Sequence, residues 1–167
     1  MRTINLPIFG EAIPNAGGRF GAILRGTAED GSQDYLLIVA DAEIGELKDI
    51  AWSDEYTLID GASSKTDGRD NTEAMATAGN TLALQIRNIV YEGHSDYYIP
   101  AAAELRALSA TAPELFSTED WYWSSTQTSR STAWAQYFEH GDSYHISKYD
   151  TCLVRAVRQI PLSNFSL

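Results

Sequence analysis

The sequence predicts a single α+β domain in which two helices pack on short antiparallel sheets. Three observations point to this class: an apolar hairpin near the N-terminus, two stretches of helical periodicity in the middle, and a cluster of short strands in the last third. With 167 residues, 44% of them hydrophobic, the chain can build one core and is too short for two. We expect an N-terminal arm over 1–17, the domain over 18–158 and a C-terminal tail over 159–167.

The first predicted element after the arm is a hairpin. Residues 18–26 and 34–40 are apolar runs on either side of Asp30 and Gly31, a dipeptide that suits a tight turn. Tyr35–Val39 shows no alternation of apolar and polar residues, which is typical of a central strand buried on both faces. The arm before it has little periodicity, so it either frays or docks onto a neighbouring subunit.

The first predicted helix follows a polar loop. Asp70, with Glu73 three residues later, has the form of an N-cap with a reciprocal partner. The apolar residues behind it recur at steps of three and four, which predicts about five helical turns ending near Gly93. Gly79 inside this stretch indicates a close approach to another backbone. The apolar stripe consists of Met75, Ala78, Leu82, Ile86 and Ile89.

A second, shorter helix is predicted to begin at Pro100, because proline suits the first helical position. Ala101, Leu105 and Leu108 would face inward, and Ala112 followed by proline would end the helix.

Residues 121–158 are predicted to form four consecutive strands, because aromatic and β-branched runs alternate with small polar turn-formers. We expect Trp123 and Trp134 to be buried. Strand phase and turn position should turn three tyrosines outward: Tyr137, Tyr144 and Tyr149.

The final strand of this group is apolar apart from two arginines. Arg155 and Arg158 should therefore pair with carboxylates in partly buried positions. Cys152 is expected to be a small apolar filler.

Several motifs carry a resemblance to a known family. Trp-Tyr-Trp-Ser-Ser-Thr at 121–126, Ala-Trp-Ala-Gln-Tyr-Phe at 133–138 and Val-Arg-Ala-Val-Arg at 154–158 are similar to the C-terminal half of C-type-lectin-like domains. The kind resembled lacks disulfides and occurs in phage tail and bacterial surface proteins, akin to phage tropism determinants and formylglycine-generating enzymes. The segments 71–75 and 93–100 resemble the openings of its two helices. The resemblance spans the predicted domain and implies a C-type-lectin-like fold.

Charge and cysteine content narrow the functional classes. The net charge of -11 repels phosphate backbones and anionic membrane surfaces, so we expect no nucleic-acid partner and no membrane insertion. A single cysteine excludes an intramolecular disulfide and suits synthesis in a reducing cytoplasm. We find no apolar run of signal-peptide or membrane-span length. The protein would then leave its cell by lysis or on a particle.

Cofactor chemistry has weak signals in the sequence. Glu139, His140, Asp142 and His145 are possible metal ligands, but their spacing matches no standard zinc pattern and favours a Gly-Asp hairpin turn with histidines paired across strands or exposed. Acidic residues between 41 and 49 are spread as on a solvated surface rather than gathered as in a calcium site. We expect no cofactor and no metal.

We predict a ligand-binding face on the C-terminal sheet. The serine- and threonine-rich loop before residue 133 resembles the composition of adaptable binding surfaces, although taken alone it favours a solvent-exposed hairpin loop. Outward tyrosines and histidines on the same side of the sheet strengthen the binding interpretation. The predicted ligand-binding residues are Gln127, Ser129, Arg130, Tyr137, His140, Tyr144, His145, Lys148 and Tyr149.

The resemblance implies a phage tail-associated receptor-binding module, carried on the virion, that recognises a host-cell surface receptor. The receptor would be a glycan, a pilus or an outer-membrane protein. Rotational symmetry of tails suggests a homotrimer that also contacts other phage tail proteins. A structural tail or baseplate component that binds other virion proteins is the alternative. A remote alternative is an enzyme of the formylglycine-generating type. As the resemblance implies, that chemistry uses a pair of cysteines, whereas this chain has one, so we expect the protein not to be an enzyme.

Overall fold

The computed structural model describes residues 6–165, in which the chain forms four α-helices and nine strands. The helices are α1 Ala42–Gly45, α2 Gly68–Thr77, α3 Thr81–Arg87 and α4 Ala102–Thr111. The strands are β1 Ala12–Ile13, β2 Gly18–Leu24, β3 Tyr35–Val39, β4 Glu46–Ala51, β5 Trp121–Gln127, β6 Thr132–Tyr137, β7 Asp142–Ser147, β8 Thr151–Arg155 and β9 Val157–Pro161. The parts of the predicted arm and tail at residues 1–5 and 166–167 lie outside the described residues.

Two sheets organise the domain, in the strand orders β1-β2-β3-β9 and β4-β8-β5-β6-β7. This α+β architecture is consistent with a C-type-lectin-like fold, as the sequence predicts. Strand β5 pairs with β8 in parallel, and the other pairs are antiparallel. Strand β7 forms one edge of the second sheet, which leaves that edge open to a partner.

The N-terminal hairpin is confirmed. Strand β2 pairs with β3, with Leu24 opposite Tyr35, and β3 lies between β2 and β9 with all five of its residues buried. Strand β9 continues past Arg158, the predicted end of the domain, and pairs with β3 as far as Pro161. Within the arm, Phe9 stacks on Phe20 with 4.7 Å between ring centroids.

The prediction of one long first helix is wrong. The chain forms α2 and α3 instead, because Gly79 adopts a φ of +80° and ends the first of them. Asn80 then caps α3 by accepting a hydrogen bond from Ala83 N–H at 2.9 Å. No atom lies within 4 Å of a Cβ placed on Gly79, so this glycine serves backbone conformation and not a close approach.

The start of that helix also differs from the prediction. Asp67, and not Asp70, caps α2, since Asp67 Oδ1 accepts a hydrogen bond from Asp70 N–H at 3.0 Å. The second predicted helix is present as α4 and buries Leu105 and Leu108, but Pro100 is not its first residue: Ala101 is the N-cap and the helix begins at Ala102.

The first three predicted C-terminal strands are present as β5, β6 and β7. The fourth, predicted as one strand carrying both Arg155 and Arg158, is instead divided at Ala156 into β8 and β9, which belong to different sheets. Trp123 is fully buried, and its indole N–H donates to the Ile50 carbonyl at 2.9 Å. The prediction that Trp134 is buried is wrong: it is half-buried, because its neighbour across the sheet is His145 on the open edge strand. Met75 and Cys152 lie in the main core cluster with Trp123, as expected.

Both arginines of the last strands have their predicted partners. Arg155 binds Glu46 at 2.6 Å with both side chains largely buried, and Arg158 binds Asp96 at 2.8 Å. Because removing one partner would leave a buried charge, these pairs hold β8 against β4 and β9 against the loop before α4.

Candidate functional site

The register between β6 and β7 builds one continuous face. Trp134 lies opposite His145, and Thr132 lies opposite Ser147. Directly opposed residues in an antiparallel pair project to the same side, and so do residues two apart on a strand. These four side chains therefore line one side of the β6–β7 hairpin. Their indole and imidazole rings meet edge to face, 5.8 Å apart.

A stacked tyrosine pair extends this face at its open end. The rings of Tyr56 and Tyr149 lie 3.8 Å apart with an interplanar angle of 14°. The Tyr56 hydroxyl shares a 2.6 Å hydrogen bond with Ser147 Oγ, which joins the pair to the strand face. The two residues remain 39% and 50% exposed. The two stacked rings are thus exposed to solvent, and the hydrogen bond to Ser147 holds them in place.

We call this surface the aromatic face. Arg130 borders it and makes a long hydrogen bond, 3.5 Å, to the Tyr56 carbonyl. Its members are Tyr56, Arg130, Thr132, Trp134, His145, Ser147 and Tyr149.

A buried lysine supports the aromatic face from below. Lys148 is fully buried, and its Nζ donates to the Thr57 carbonyl at 2.8 Å and to Gln127 Oε1 at 3.0 Å. The ammonium also lies 4.4 Å from the centre of the Trp52 ring. Burial lowers the pKa of Lys148 from 10.5 to about 8. The side chain thereby ties the loop that carries Tyr56 to the end of β7.

The predicted outward position of Gln127 and Lys148 is wrong. Gln127 is 3% exposed, because its amide binds the backbone of Ile59, with Ile59 N–H donating to Oε1 at 3.0 Å. Both side chains satisfy main-chain groups of the 57–59 segment instead of facing solvent. They order the aromatic face without being part of its surface.

The polar loop between β5 and β6 is ordered by its own side chains. Ser129 Oγ accepts hydrogen bonds from the N–H groups of Ser131 and Thr132, at 3.2 and 3.1 Å. Ser129 is half-buried by these contacts, and Arg130 at the tip stays exposed. The loop therefore presents the Arg130 guanidinium beside the aromatic face with little freedom in the backbone.

Most of the chain matches one known protein family. The Lcl C-terminal domain, found in bacterial Lcl-type lipoproteins, matches residues 44–158, well over half of the chain. The chain belongs to the Lcl C-terminal domain family. The matched range runs from α1 to the start of β9 and includes every residue of the aromatic face. A search of curated proteins found no match. The family assignment supplies no link to phages, so that part of the sequence-based expectation stays a prediction.

The predicted binding residues of this Lcl C-terminal domain fall into separate groups. Arg130, His145 and Tyr149 lie on the aromatic face. Tyr144, 59% exposed, stacks on His145 with 4.7 Å between centroids at the open edge of β7. Ser129 lies just behind the tip of the neighbouring loop.

Two predicted residues lie at the opposite end of the hairpin. Tyr137 donates to Glu139 Oε2 at 3.0 Å, and His140 lies 3.7 Å from the same carboxylate. Strand β6 separates Thr132 from Tyr137 by about 17 Å at the usual rise per residue. The nine predicted residues therefore do not form one site. Across residues 6–165, no three histidine, cysteine or acidic side chains converge as metal ligands.

Four members of the aromatic face are not among the predicted binding residues: Tyr56, Thr132, Trp134 and Ser147. Tyr56 is a lone aromatic residue in a polar loop, and its partner Ser147 is 91 positions away. Trp134 was assigned to the core because alternating indoles usually are buried. A weak signal existed for Tyr56, since an aromatic residue between Asp54, Glu55 and a threonine has no apolar periodicity to bury it.

Proposed function

We propose that this Lcl C-terminal domain is a non-enzymatic binding module that recognises a cell-surface ligand, a glycan or a protein, through the aromatic face. The observation that carries the proposal is the exposed Tyr56–Tyr149 stack, fixed to the sheet by Ser147. Tyrosine offers a large amphipathic contact area and loses little conformational entropy on binding, and aromatic residues are enriched where binding energy concentrates.

The support beneath the face favours binding by a preformed surface. Lys148 and Gln127 are buried and bind the main chain on either side of Leu58, close to Tyr56. A surface that is ordered before contact pays less entropy when a ligand arrives. Burying the Lys148 ammonium without a carboxylate partner costs free energy, and the ordering of the Tyr56 loop by this side chain offsets that cost.

The chemistry of the face suits an uncharged or weakly polar ligand. Ring faces of Tyr56, Tyr149 and Trp134 pack against the apolar side of a sugar ring or an aliphatic side chain. Arg130 and His145 at the margins offer hydrogen bonds to hydroxyl or carbonyl groups. A single face of this size binds weakly, and display of several copies, as in the predicted homotrimer, would supply avidity.

One observation bears on the enzymatic alternative. The chain's one cysteine, Cys152, is 3% exposed, and burial, reinforced by the charges of Asp120 and Asp150, raises the pKa of its thiol from 9.0 to about 12. A thiol held neutral inside the core is a poor nucleophile. This supports a binding role over thiol chemistry of the formylglycine-generating kind.

The proposal is tested by binding of the purified protein to a glycan array and to cells with and without their surface polysaccharide or pili. Tyr149→Ala removes half of the stack at an exposed position and should weaken binding at least tenfold, as loss of an aromatic hot spot does. Tyr137→Ala is the matched control, because it truncates a tyrosine at the far end of the same hairpin and should leave affinity unchanged.

Each outcome has a defined meaning. Loss of binding in Tyr137→Ala with full binding in Tyr149→Ala would place the ligand at the other end and refute the aromatic face. Absence of binding to every glycan and cell, with capture only of proteins from its own assembly, would favour the structural alternative. Location on a phage tail and trimer formation stay predictions of their own.

A further inference from the structure

A second concave site lies away from the aromatic face. A cleft of about 660 Å³ opens between the β2–β3 turn, the start of α2 and strand β9. Its volume falls within the range of small-molecule sites, whereas two other surface cavities measure about 180 and 240 Å³. Most of the lining residues have polar side chains, and Tyr35 is the one aromatic residue among them.

Two arginines on this cleft are unpaired. Arg25 and Arg69 both line it, and neither forms an ion pair with any residue in the described range 6–165. Their hydrogen bonds are long: 3.5 Å to the Glu29 carbonyl and 3.4 Å to Gln159 Oε1. Four other arginines in the chain do bind a carboxylate. They are Arg19, Arg87, Arg155 and Arg158.

The single acidic residue on the cleft lining is already engaged. Asp67 caps α2, with its Oδ1 accepting from Asp70 N–H at 3.0 Å. The lining thus carries two guanidinium groups against one carboxylate, in a chain whose net charge is -11. Two guanidinium groups that no carboxylate of residues 6–165 pairs with can bind an anionic group of a ligand.

A hydrogen-bond network fixes the inner wall of the cleft. Tyr35 lines this wall, as does Gln159, which accepts from Arg69 Nη1 at 3.4 Å. Tyr98 and Tyr35 both donate to Glu104 Oε2, at 2.5 and 3.2 Å. Burial raises the pKa of Glu104 to about 7, and ionisable groups perturbed in this way gather beneath functional clefts. The wall is therefore organised in advance by buried groups.

We propose that this cleft binds a small ligand that carries one carboxylate or phosphate group together with hydroxyl groups. Arg25 and Arg69 hold the anionic group from opposite walls by charge-assisted hydrogen bonds. Side chains of Ser32, Gln33 and Thr66 are placed to receive the hydroxyl groups. The site is independent of the aromatic face, so either proposal stands if the other fails.

The test is an NMR titration of the full ¹⁵N-labelled chain with four probes. Gluconate supplies a carboxylate with hydroxyls, glucose 6-phosphate a phosphate with hydroxyls, inorganic phosphate the charge alone, and glucose the hydroxyls alone. We expect saturable shifts at Thr66, Arg69 and Gln159 with gluconate or glucose 6-phosphate, and at least tenfold weaker binding of glucose and inorganic phosphate. The stronger of the first two probes identifies the anionic group.

Variants locate the charge contacts. Arg25→Gln and Arg69→Gln should each weaken binding about tenfold with unchanged thermal unfolding, because both side chains are exposed. Arg106→Gln, another exposed arginine without an ion pair within residues 6–165, is the matched control and should bind as the unaltered protein does. The proposal is overturned if no probe saturates, if glucose binds as tightly as the anions, or if the two cleft variants match the control.

Discussion

The stability of the domain should depend on pH through one buried carboxyl group. Glu104 is fully buried near the start of α4. Its Oε1 accepts from the N–H groups of Gly68 and Ala101, at 3.0 and 3.1 Å, and its Oε2 accepts from Tyr98 and Tyr35. Burial raises the pKa of Glu104 from 4.5 to about 7, although these four donors oppose the rise.

The magnitude follows from proton linkage. Because the folded pKa lies above the unfolded value, the folded state binds more protons between pH 4.5 and about 7. Stability from this group is therefore complete below pH 4.5 and is lost as the pH rises to 7. At about 1.4 kcal/mol for each pH unit, the difference amounts to about 3 kcal/mol. Glu104→Gln keeps the shape, stays neutral and should abolish this part of the pH dependence.

The assay is urea unfolding of both proteins at intervals from pH 4.5 to 7.5. The free energy of unfolding of Glu104→Gln, measured relative to that of the unaltered protein, should rise by about 3 kcal/mol from pH 4.5 to 7.5. Glu114→Gln, the same change at an exposed position after α4, should follow the unaltered protein. A constant difference between the Glu104 variant and the unaltered protein at every pH would refute the reasoning.

Two further predictions concern stability. Lys148, whose pKa is lowered to about 8, binds fewer protons when folded than when unfolded, so the unaltered protein should gain stability as the pH rises from 8 toward 10.5. Unfolding of Lys148→Met should lack this gain, and parallel curves from pH 7.5 to 9.5 would contradict it. Gly79→Ala should destabilise by about 1 kcal/mol because of its positive φ, whereas Gly79→Asn should cost less. Equal thermal unfolding of these two glycine variants would show that backbone strain is not the cause.

Local signals explain what the sequence predicted well. The hairpin of β2 and β3 and the strands from β5 to β8 are marked by composition and turn residues within a few positions. The ion pairs of Arg155 and Arg158 could be predicted because an arginine within an apolar segment needs a carboxylate partner, wherever in the sequence that partner lies. In each case the physical requirement is visible in the segment itself.

Distant contacts explain what the sequence did not predict. The apolar periodicity continues across Gly79, so the break between α2 and α3 depends on the backbone conformation of one residue. Lys148 has the sequence character of a surface residue, and its burial depends on the carbonyl of Thr57, the amide of Gln127 and the ring of Trp52. The aromatic face and the arginine cleft likewise join segments far apart in sequence.

The Tyr56–Tyr149 stack joins two segments that are far apart in sequence. The hydrogen bond between Tyr56 and Ser147 links residues 91 positions apart. Bringing residues so far apart together costs loop-closure entropy, so this contact depends on the fold of the intervening chain. A fragment comprising β5 to β9 would keep the hairpin yet lack the ring against which Tyr149 rests. Ligand binding at the proposed aromatic face should therefore require the complete fold. Proteolytic cleavage in the 53–58 loop would abolish that binding while leaving most of the sheet intact.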